Sequence, residues 1–332
     1  MLCPKVLELG ALGSCFLGQG HEVLGPLKVT VMVRGDIGDE VGGLVWADEA
    51  VTGAKCRHLV NVGGLGSAPA YDGAMPLGIL QARMTSSRLP GKVLEPIEGM
   101  PMIGRQIERL RRSDLLDGLV VATSVDLSDD RLVAYVESLG IPVIRGSLDD
   151  VLGRFGAVLD ELSPEVVVRL TADCPLASPR VVDQVISAFG PDVDYVSNTL
   201  EPSFPDGLDV EVVRVGALRW VARHSGDQHE REHVTLGVYR RPNRIRCANV
   251  SGEEDLSSLR WTVDTPDDLE FVQQVYAYLL PINAQFEVED VLDLLERMPN
   301  LSRTVRDGAR NAALSGISTG AMEQGRCTRG VK

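Results

Sequence analysis

Aromatic residues make up only 5% of the 332 positions, and the six cysteines stand apart at Cys3, Cys15, Cys56, Cys174, Cys247 and Cys327 with no C-x-x-C pair. A disulfide scaffold needs a higher density, so these read as reduced thiols of a cytoplasmic protein. No apolar run reaches the roughly eighteen residues that a membrane-spanning helix requires, so no membrane association is expected. A basic excess is absent too: 33 basic against 47 acidic residues give a formal charge of −14. A surface that acidic repels a phosphate backbone, which excludes nucleic acid as a general partner. Any phosphate the protein holds must be met by a few local cations, metal ions or backbone N–H groups. What the chain does have is 44% hydrophobic and 24% charged residues, enough for one large core or two modest ones.

Residues 1–74 hold 14 of the 34 glycines and show no sustained helical or strand period, and the character changes at Met75-Pro76. They are read as an extension that is flexible or lies outside the working protein, with Met75 as an alternative start, and as dispensable. Their stretch Val6 to Leu17 is signal-like, but Glu8 interrupts its apolar run. Over 75–299, short apolar runs at Leu77–Ala82, Gly118–Thr123, Ile141–Arg145 and Val166–Leu170 alternate with helical patterns at Met102–Arg112 and Asp129–Leu139. That alternation predicts an α/β domain with a doubly wound, mostly parallel sheet. A helix is expected at Pro179–Phe189, strands at Asp194–Ser197, Leu208–Val213, Ile245–Asn249 and Leu259–Val263, and closing helices at Pro266–Leu280 and Val288–Met298. The tail, 300–332, has no core pattern and is expected to be loosely ordered.

Ligands of such sheets bind beyond the carboxyl ends of the strands, which selects three segments. The first runs from Leu80 to Lys92 and gathers Arg83, Ser86, Ser87, Arg88 and Lys92 at one strand exit. It suits a triphosphate, but Ser86 and Val93 replace the Gly and the Ser or Thr of a Walker loop. The second ends a buried strand with Thr171-Ala172-Asp173-Cys174-Pro175; Asp173 is either a hard-cation ligand or a turn aspartate. In the third, Arg260 to Leu269, Thr265 as N-cap, Pro266 at the first helical position and Asp267 and Asp268 near the helix dipole have structural explanations. Asp264 alone is left needing a function.

The segments Gln81 to Lys92, Gly146 to Phe155, Thr171 to Leu176, Asp194 to Asn198, Phe204 to Glu211, Glu230 to Thr235 and Leu259 to Asp264 together resemble the SpsF-like cytidylyltransferases of spore-coat polysaccharide biosynthesis, a group related to the CMP-Kdo and CMP-sialate synthetases. The resemblance covers roughly Leu77 to Met298. It implies a Rossmann-like fold of the nucleotide-diphospho-sugar transferase kind and transfer of CMP from CTP to a sugar-like acceptor, with Mg2+ as cofactor and a homodimer as the assembly. Carried over residue by residue, it implies CTP binding by Leu80, Ala82, Arg83, Ser86, Ser87, Arg88, Lys92, Thr123 and Asp173. Lys92, Arg88 and Arg83 would take the leaving-group charge, Asp173 and Asp264 the metal, and Asp206, Asp209, Glu211, Glu232 and His233 the acceptor. Thr85 and Ala172 depart from the glycines usual in the pattern, which bears on loop shape more than on chemistry. Two carboxylates with no cation between them repel, so replacing either by Asn is expected to leave the metal-free protein as stable or more so.

Three other readings of the sequence stand beside this one. His229-Glu230-Arg231-Glu232-His233 satisfies the H-E-x-x-H zinc pattern, but Ser225 to Gln228 puts His229 at a helix start, where a packed two-histidine helix cannot form. A glycosyltransferase of similar fold would usually show Asp-x-Asp, and Thr171-Ala172-Asp173 lacks the first acid. A non-catalytic nucleotide-binding module is the third.

Overall fold

The computed structural model describes residues 28–34, 40–46 and 75–304. The chain divides into two units, Met1–Gly66 and Ser67–Lys332, each described by itself. The first holds an antiparallel pair, β1 (Lys28–Arg34) and β2 (Glu40–Trp46), with Lys28 opposite Trp46. No strand period was expected there; the alternation Val29, Val31, Val33 is the local signal, set among glycines that hide it. The remainder of the extension, and 305–332 of the tail, lie outside the described residues.

The second unit opens with β3 (Leu77–Gln81), followed by the short β4 (Pro96–Ile97) and β5 (Met100–Pro101) and helix α1 (Met102–Leu110). Next come β6 (Gly118–Ser124), α2 (Asp130–Ser138), β7 (Val143–Gly146), α3 (Val151–Leu162), β8 (Val166–Thr171) and α4 (Pro179–Ser187). The chain continues through β9 (Tyr195–Ser197), β10 (Glu211–Arg214), α5 (Val215–His224), α6 (Gln228–Glu232), α7 (Leu236–Tyr239) and β11 (Cys247–Asn249). It closes with α8 (Pro266–Leu279) and α9 (Val288–Arg297).

The main sheet has seven strands in the order β11-β9-β10-β8-β3-β6-β7. β8, β3, β6 and β7 run parallel, β11 runs parallel to β9, and β10 is antiparallel to both its neighbours. The chain winds outward from β3 through β6 to β7 and returns to place β8 on the other side of β3. A crevice therefore opens where β3 and β8 end together. Both faces carry helices. One core packs α1, α4, α8 and α9 against Leu80, Val121, Val168 and Leu170, and the other packs α3 and α5 against Ile79, Val120 and Val167. Burial on both faces is why β3, β6 and β8 read as continuous apolar runs rather than alternating ones. Each such Val, Leu or Ile stabilises the fold by about 1.5–3 kcal/mol.

Two expectations are corrected here. Leu259–Val263 is not a sheet strand: it forms only isolated bridges, Leu259 with Thr304 and Asp206 with Arg260. Its backbone bonds go instead to loops, with the Trp261 N–H donating to Asp206 O at 2.6 Å and the Val263 N–H to Asp173 O at 2.8 Å. Leu208–Val213 is shortened at its start, because the Asn198 side chain captures the Leu208 carbonyl and the Val210 N–H before the ladder begins at Glu211.

Candidate active site

Lys92 and the two candidate metal aspartates meet at one point. Asp173 lies two residues beyond the end of β8, and Asp264 immediately precedes the capping-box residue Thr265 of α8. Because the Val263 N–H is bonded to the Asp173 carbonyl, the two segments are held side by side. The Lys92 ammonium lies 3.0 Å from an Asp264 oxygen and 3.6 Å from an Asp173 oxygen, and donates to the Val263 carbonyl at 2.6 Å. Its three N–H donors thus face three acceptors, and the residue is only 8% exposed. Burial raises the Asp173 carboxyl, but Lys92, with the Thr171 and Cys174 donors, outweighs burial and leaves it below its ordinary value. Burial, reinforced by Asp173 and Asp209, pushes the Cys174 thiol well up, so that sulfur stays protonated at neutral pH.

Asp264 gathers further cations. Arg88 reaches it at 2.9 Å and Arg260 at 2.8 Å, while Arg260 also holds Asp206 at 2.9 Å and Asp268 at 3.3 Å. Arg260 was not among the sequence candidates, and only its place in a strand-like run hinted at it. Asp268 accepts from the Asp264 and Thr265 N–H groups as well, so the start of α8 fixes the carboxylate that precedes it. Asp206 sits here because Gly207, with φ of 116°, lets the Phe204 to Glu211 loop lie on the 261–262 backbone; a Cβ at Gly207 would come 2.6 Å from the Thr262 nitrogen.

The loop after β3 is anchored by a residue the sequence did not single out. Asp129 is fully buried and accepts from the Met84 N–H at 2.7 Å, the Thr123 hydroxyl at 2.9 Å, the Ser124 N–H at 3.0 Å and the Ser124 hydroxyl. It ties the expected phosphate loop to the end of β6. Leu80 and Ala82 are buried at the strand end, Arg83, Ser87 and Arg88 are exposed, and Ser86 is half-buried, its hydroxyl accepting from the Leu89 N–H at 3.4 Å.

The expected acceptor residues divide into two groups. Asp206 lies in the Asp264 network, and half-buried Asp209 is near enough to act on Cys174. Glu211 lies in a row across three neighbouring strands, where Arg169 of β8 donates to both its oxygens at 3.1 Å and reaches Gln81 of β3 at 3.4 Å. The Thr235 hydroxyl completes Glu211 at 2.5 Å, from a loop in which buried Val234 holds a left-handed φ of 45° that a β-branched residue rarely adopts. His233 stands beside this row; burial lowers its pKa against the pull of Glu232, so the neutral imidazole dominates at neutral pH. Glu232 itself is exposed.

The zinc motif does not assemble. His229 is the second residue of a five-residue helix capped by Asp227, and His233 is its C-cap. Glu230, the base such a motif would need, is buried in a bidentate pair with Arg241 and a bond from Ser225. Among the described residues no group of three or more His, Cys, Asp or Glu could hold a metal ion. The Asp173 and Asp264 pair still fits a hard divalent cation, because Mg2+ needs only one or two carboxylates when phosphates and water complete its shell, and both carboxylates already converge on one positive charge. Among the described residues no helix is long and apolar enough to cross a membrane.

Residues 77–286 match the family model described as cytidylyltransferase. The spore coat polysaccharide biosynthesis protein SpsF of Bacillus subtilis is 36% identical over 211 residues, 60% of this chain and 85% of that protein. The 3-deoxy-manno-octulosonate cytidylyltransferase of Solibacter usitatus is 26% identical over 60% of this chain and 94% of its own length. A solved cytidylyltransferase from Leptospira borgpetersenii superposes with a TM-score of 0.66 at 26% identity, covering 70% of this chain and 99% of that one. With the match spanning the crevice and every segment that lines it, the chain belongs to the cytidylyltransferase family.

Proposed function

We propose that this cytidylyltransferase moves CMP from CTP onto a hydroxyl of a sugar or sugar acid, with release of pyrophosphate, in the synthesis of a polysaccharide or glycoconjugate precursor. The observation that carries the reading is the convergence of Asp173 and Asp264, from two separate segments, on one buried ammonium at the mouth of the sheet. The name of the 3-deoxy-manno-octulosonate cytidylyltransferase supports a sugar-acid acceptor, and that of SpsF a part in polysaccharide synthesis.

In the reaction the acceptor oxygen attacks the α-phosphorus, its hydroxyl proton passes to solvent, and the bond from the α-phosphorus to the oxygen shared with the β-phosphate breaks in line, so that oxygen leaves with pyrophosphate. No protein nucleophile is needed, so positioning and neutralisation of charge supply the catalysis. A divalent cation held by Asp173 and Asp264 would neutralise phosphate charge at that place; Mg2+ is the ion whose donor preference the pair suits. Arg88 and Arg83 stand exposed at the same strand exit to take the pyrophosphate charge. Lys92 holds the two carboxylates together and offers its donors to phosphate when they are drawn off. Asp129 keeps the loop backbone in place, with Leu80, Ala82, Ser86, Ser87 and Thr123 around it. On the acceptor side, Glu211 is oriented by Arg169 and Thr235, with Asp206, Asp209, Glu232 and His233 nearby in sequence or space.

The test is pyrophosphate release from each of the four nucleoside triphosphates with Mg2+, across keto-sugar acids, sugar phosphates and phosphonates. CTP with one acceptor class should turn over. Binding of CTP without turnover on any acceptor would point to a nucleotide-binding module, and sugar transfer from a nucleotide-sugar to a glycosyltransferase. The assembly proposed is a homodimer, which light scattering checks; a monomer at micromolar concentration counts against it.

A further inference from the structure

Of the lysines and arginines between Met75 and Thr304, all but Lys92 are arginine. An arginine presents a planar fork that fixes carboxylates in one geometry. An ammonium is a compact point charge on a flexible stem, the side chain nearest in shape to a metal ion. This one ammonium lies 3.0 Å from Asp264 Oδ1, 3.6 Å from Asp173 Oδ2 and 2.6 Å from the Val263 carbonyl oxygen. A cation shared by two carboxylates lies between their facing oxygens, and Lys92 already fills that gap. Its backbone is fixed: Gly91, with φ of 77°, leads into a single 3-10 turn, Lys92–Leu94, in which the Leu94 N–H donates to the Gly91 carbonyl at 2.9 Å and Val93 is buried. The charge can therefore leave the gap only by rotation of its four-carbon stem.

Two cations cannot share that gap. Like charges a few ångströms apart in a partly buried site repel strongly, and Arg88 and Arg260, at 2.9 and 2.8 Å from Asp264 Oδ2, add to the field against an incoming ion. Nor does the ammonium gain by stepping aside in the empty protein. It is shielded from water where it stands, and leaving breaks three contacts without forming new ones. A triphosphate changes that balance. It brings several negative charges and many acceptor oxygens to the strand exit where Arg83 and Arg88 stand exposed. Lys92 can then exchange carboxylate and carbonyl acceptors for phosphate oxygens, which bind an ammonium at least as well. The exchange frees both carboxylates just as the phosphates supply the other ligands that a hard divalent ion needs.

We propose that Lys92 is a built-in occupant of the metal gap, displaced by the nucleotide's phosphates, so that a divalent ion is excluded from the empty protein and enters only with the nucleotide. This rests on the nucleotidyl-transfer reading and adds to it a rule for how ion and substrate bind. The coupling runs both ways: whatever factor the nucleotide adds to ion affinity, the ion adds to nucleotide affinity. The arrangement also has a use. A preformed, vacant pair of carboxylates binds transition-metal ions more tightly than Mg2+, and an ammonium seated between them denies those ions the empty site.

The experiment is ultrafiltration of the full chain with Mn2+, with and without CTP, reading the metal retained with the protein. Without nucleotide, Lys92→Met should bind Mn2+ roughly tenfold or more tightly than the wild type, the size of an ordinary coupling between sites. Adding Asp173→Asn to that variant should abolish the gain, which places the ion. Arg88→Gln removes a cation from Asp264 but leaves the gap filled, so its affinity for free Mn2+ should match the wild type's. With CTP the wild type should retain the ion. Equal affinities of wild type and Lys92→Met for free Mn2+ would overturn the proposal. So would an equal gain in Arg88→Gln, which would assign the exclusion to the general field of the site. Lys92→Gln, which keeps donors without the charge, gives the same comparison should the Met variant not fold. CTP that fails to bind the wild type under any condition would refute the nucleotidyl-transfer reading, while the nucleotide-free comparison still decides the part of Lys92.

Discussion

At the scale of single residues, the site is governed by how many cations each carboxylate meets. The two aspartates were expected to repel in the metal-free protein, so that Asn at either position would be harmless to stability. Lys92 stands between them, and Arg88 and Arg260 add to Asp264, so the sign reverses. Asp173→Asn and Asp264→Asn should each lower stability in a chelator by about 1–2 kcal/mol, by leaving buried donors short of a charged acceptor. Lys92→Met removes the shared cation and should cost about 2–3 kcal/mol, less than a fully buried pair because Asp173 keeps some contact with water. Chemical unfolding in EDTA measures all three. The pH dependence follows from the lowered Asp173 carboxyl: its contribution is full above the ordinary value of 3.8 and is lost as pH falls through the folded value. The gap between wild type and Asp173→Asn should therefore close below about pH 3.8, and a gap independent of pH would show that charge is not its origin.

At the scale of elements, much was legible because the chemistry of the ends is local. Thr265-Pro266 and Ser178-Pro179 announce α8 and α4, and both serve as N-caps with Pro at the helix start. Thr265→Ala should cost about 1 kcal/mol in thermal unfolding and, by loosening the bond between its hydroxyl and the Asp268 N–H, should weaken metal-dependent activity too. An unfolding curve superposable on the wild type's would contradict it. The central strands were legible because they are buried on both faces. Leu259–Val263 was misread for the same reason: Trp261 and Val263 are fully buried, but against loops, and period alone does not tell a ladder from an extended segment pinned to a turn. The helices α3 and α5 were passed over because small residues such as Gly153, Gly156 and Gly216 dilute their apolar stripe. Arg260 lies inside a segment of the resemblance but was given no role, and Asp129 lies in none, since each matters through partners far away in sequence. Residue type at the expected strand ends singled out Asp173 and Asp264, but only Asp173 follows a sheet strand; the Val263 to Asp173 backbone bond and Lys92 are what hold the two side by side.

At the scale of the whole molecule, the family match begins at residue 77, and the proposed working unit starts at Met75. A chain from Met75 to Lys332 should fold with an unchanged unfolding slope and bind CTP as the full chain does; loss of either would assign the first 74 residues a part in the enzyme. The bridge of Thr304 to Leu259 and the Arg303 contact with Asp268 brace the segment that carries Asp264. The central claim is that one ion, held by Asp173 and Asp264 together, organises the transfer. Single-turnover pyrophosphate release from Mg-CTP in the wild type, Asp173→Asn, Asp264→Asn and the double variant tests it most directly. The account predicts that each single change abolishes turnover while CD spectra stay native, and that the double variant is hardly slower than either, as expected of residues acting as a unit. A variant that keeps most of its metal-dependent rate, or losses that multiply in the double variant, would contradict it.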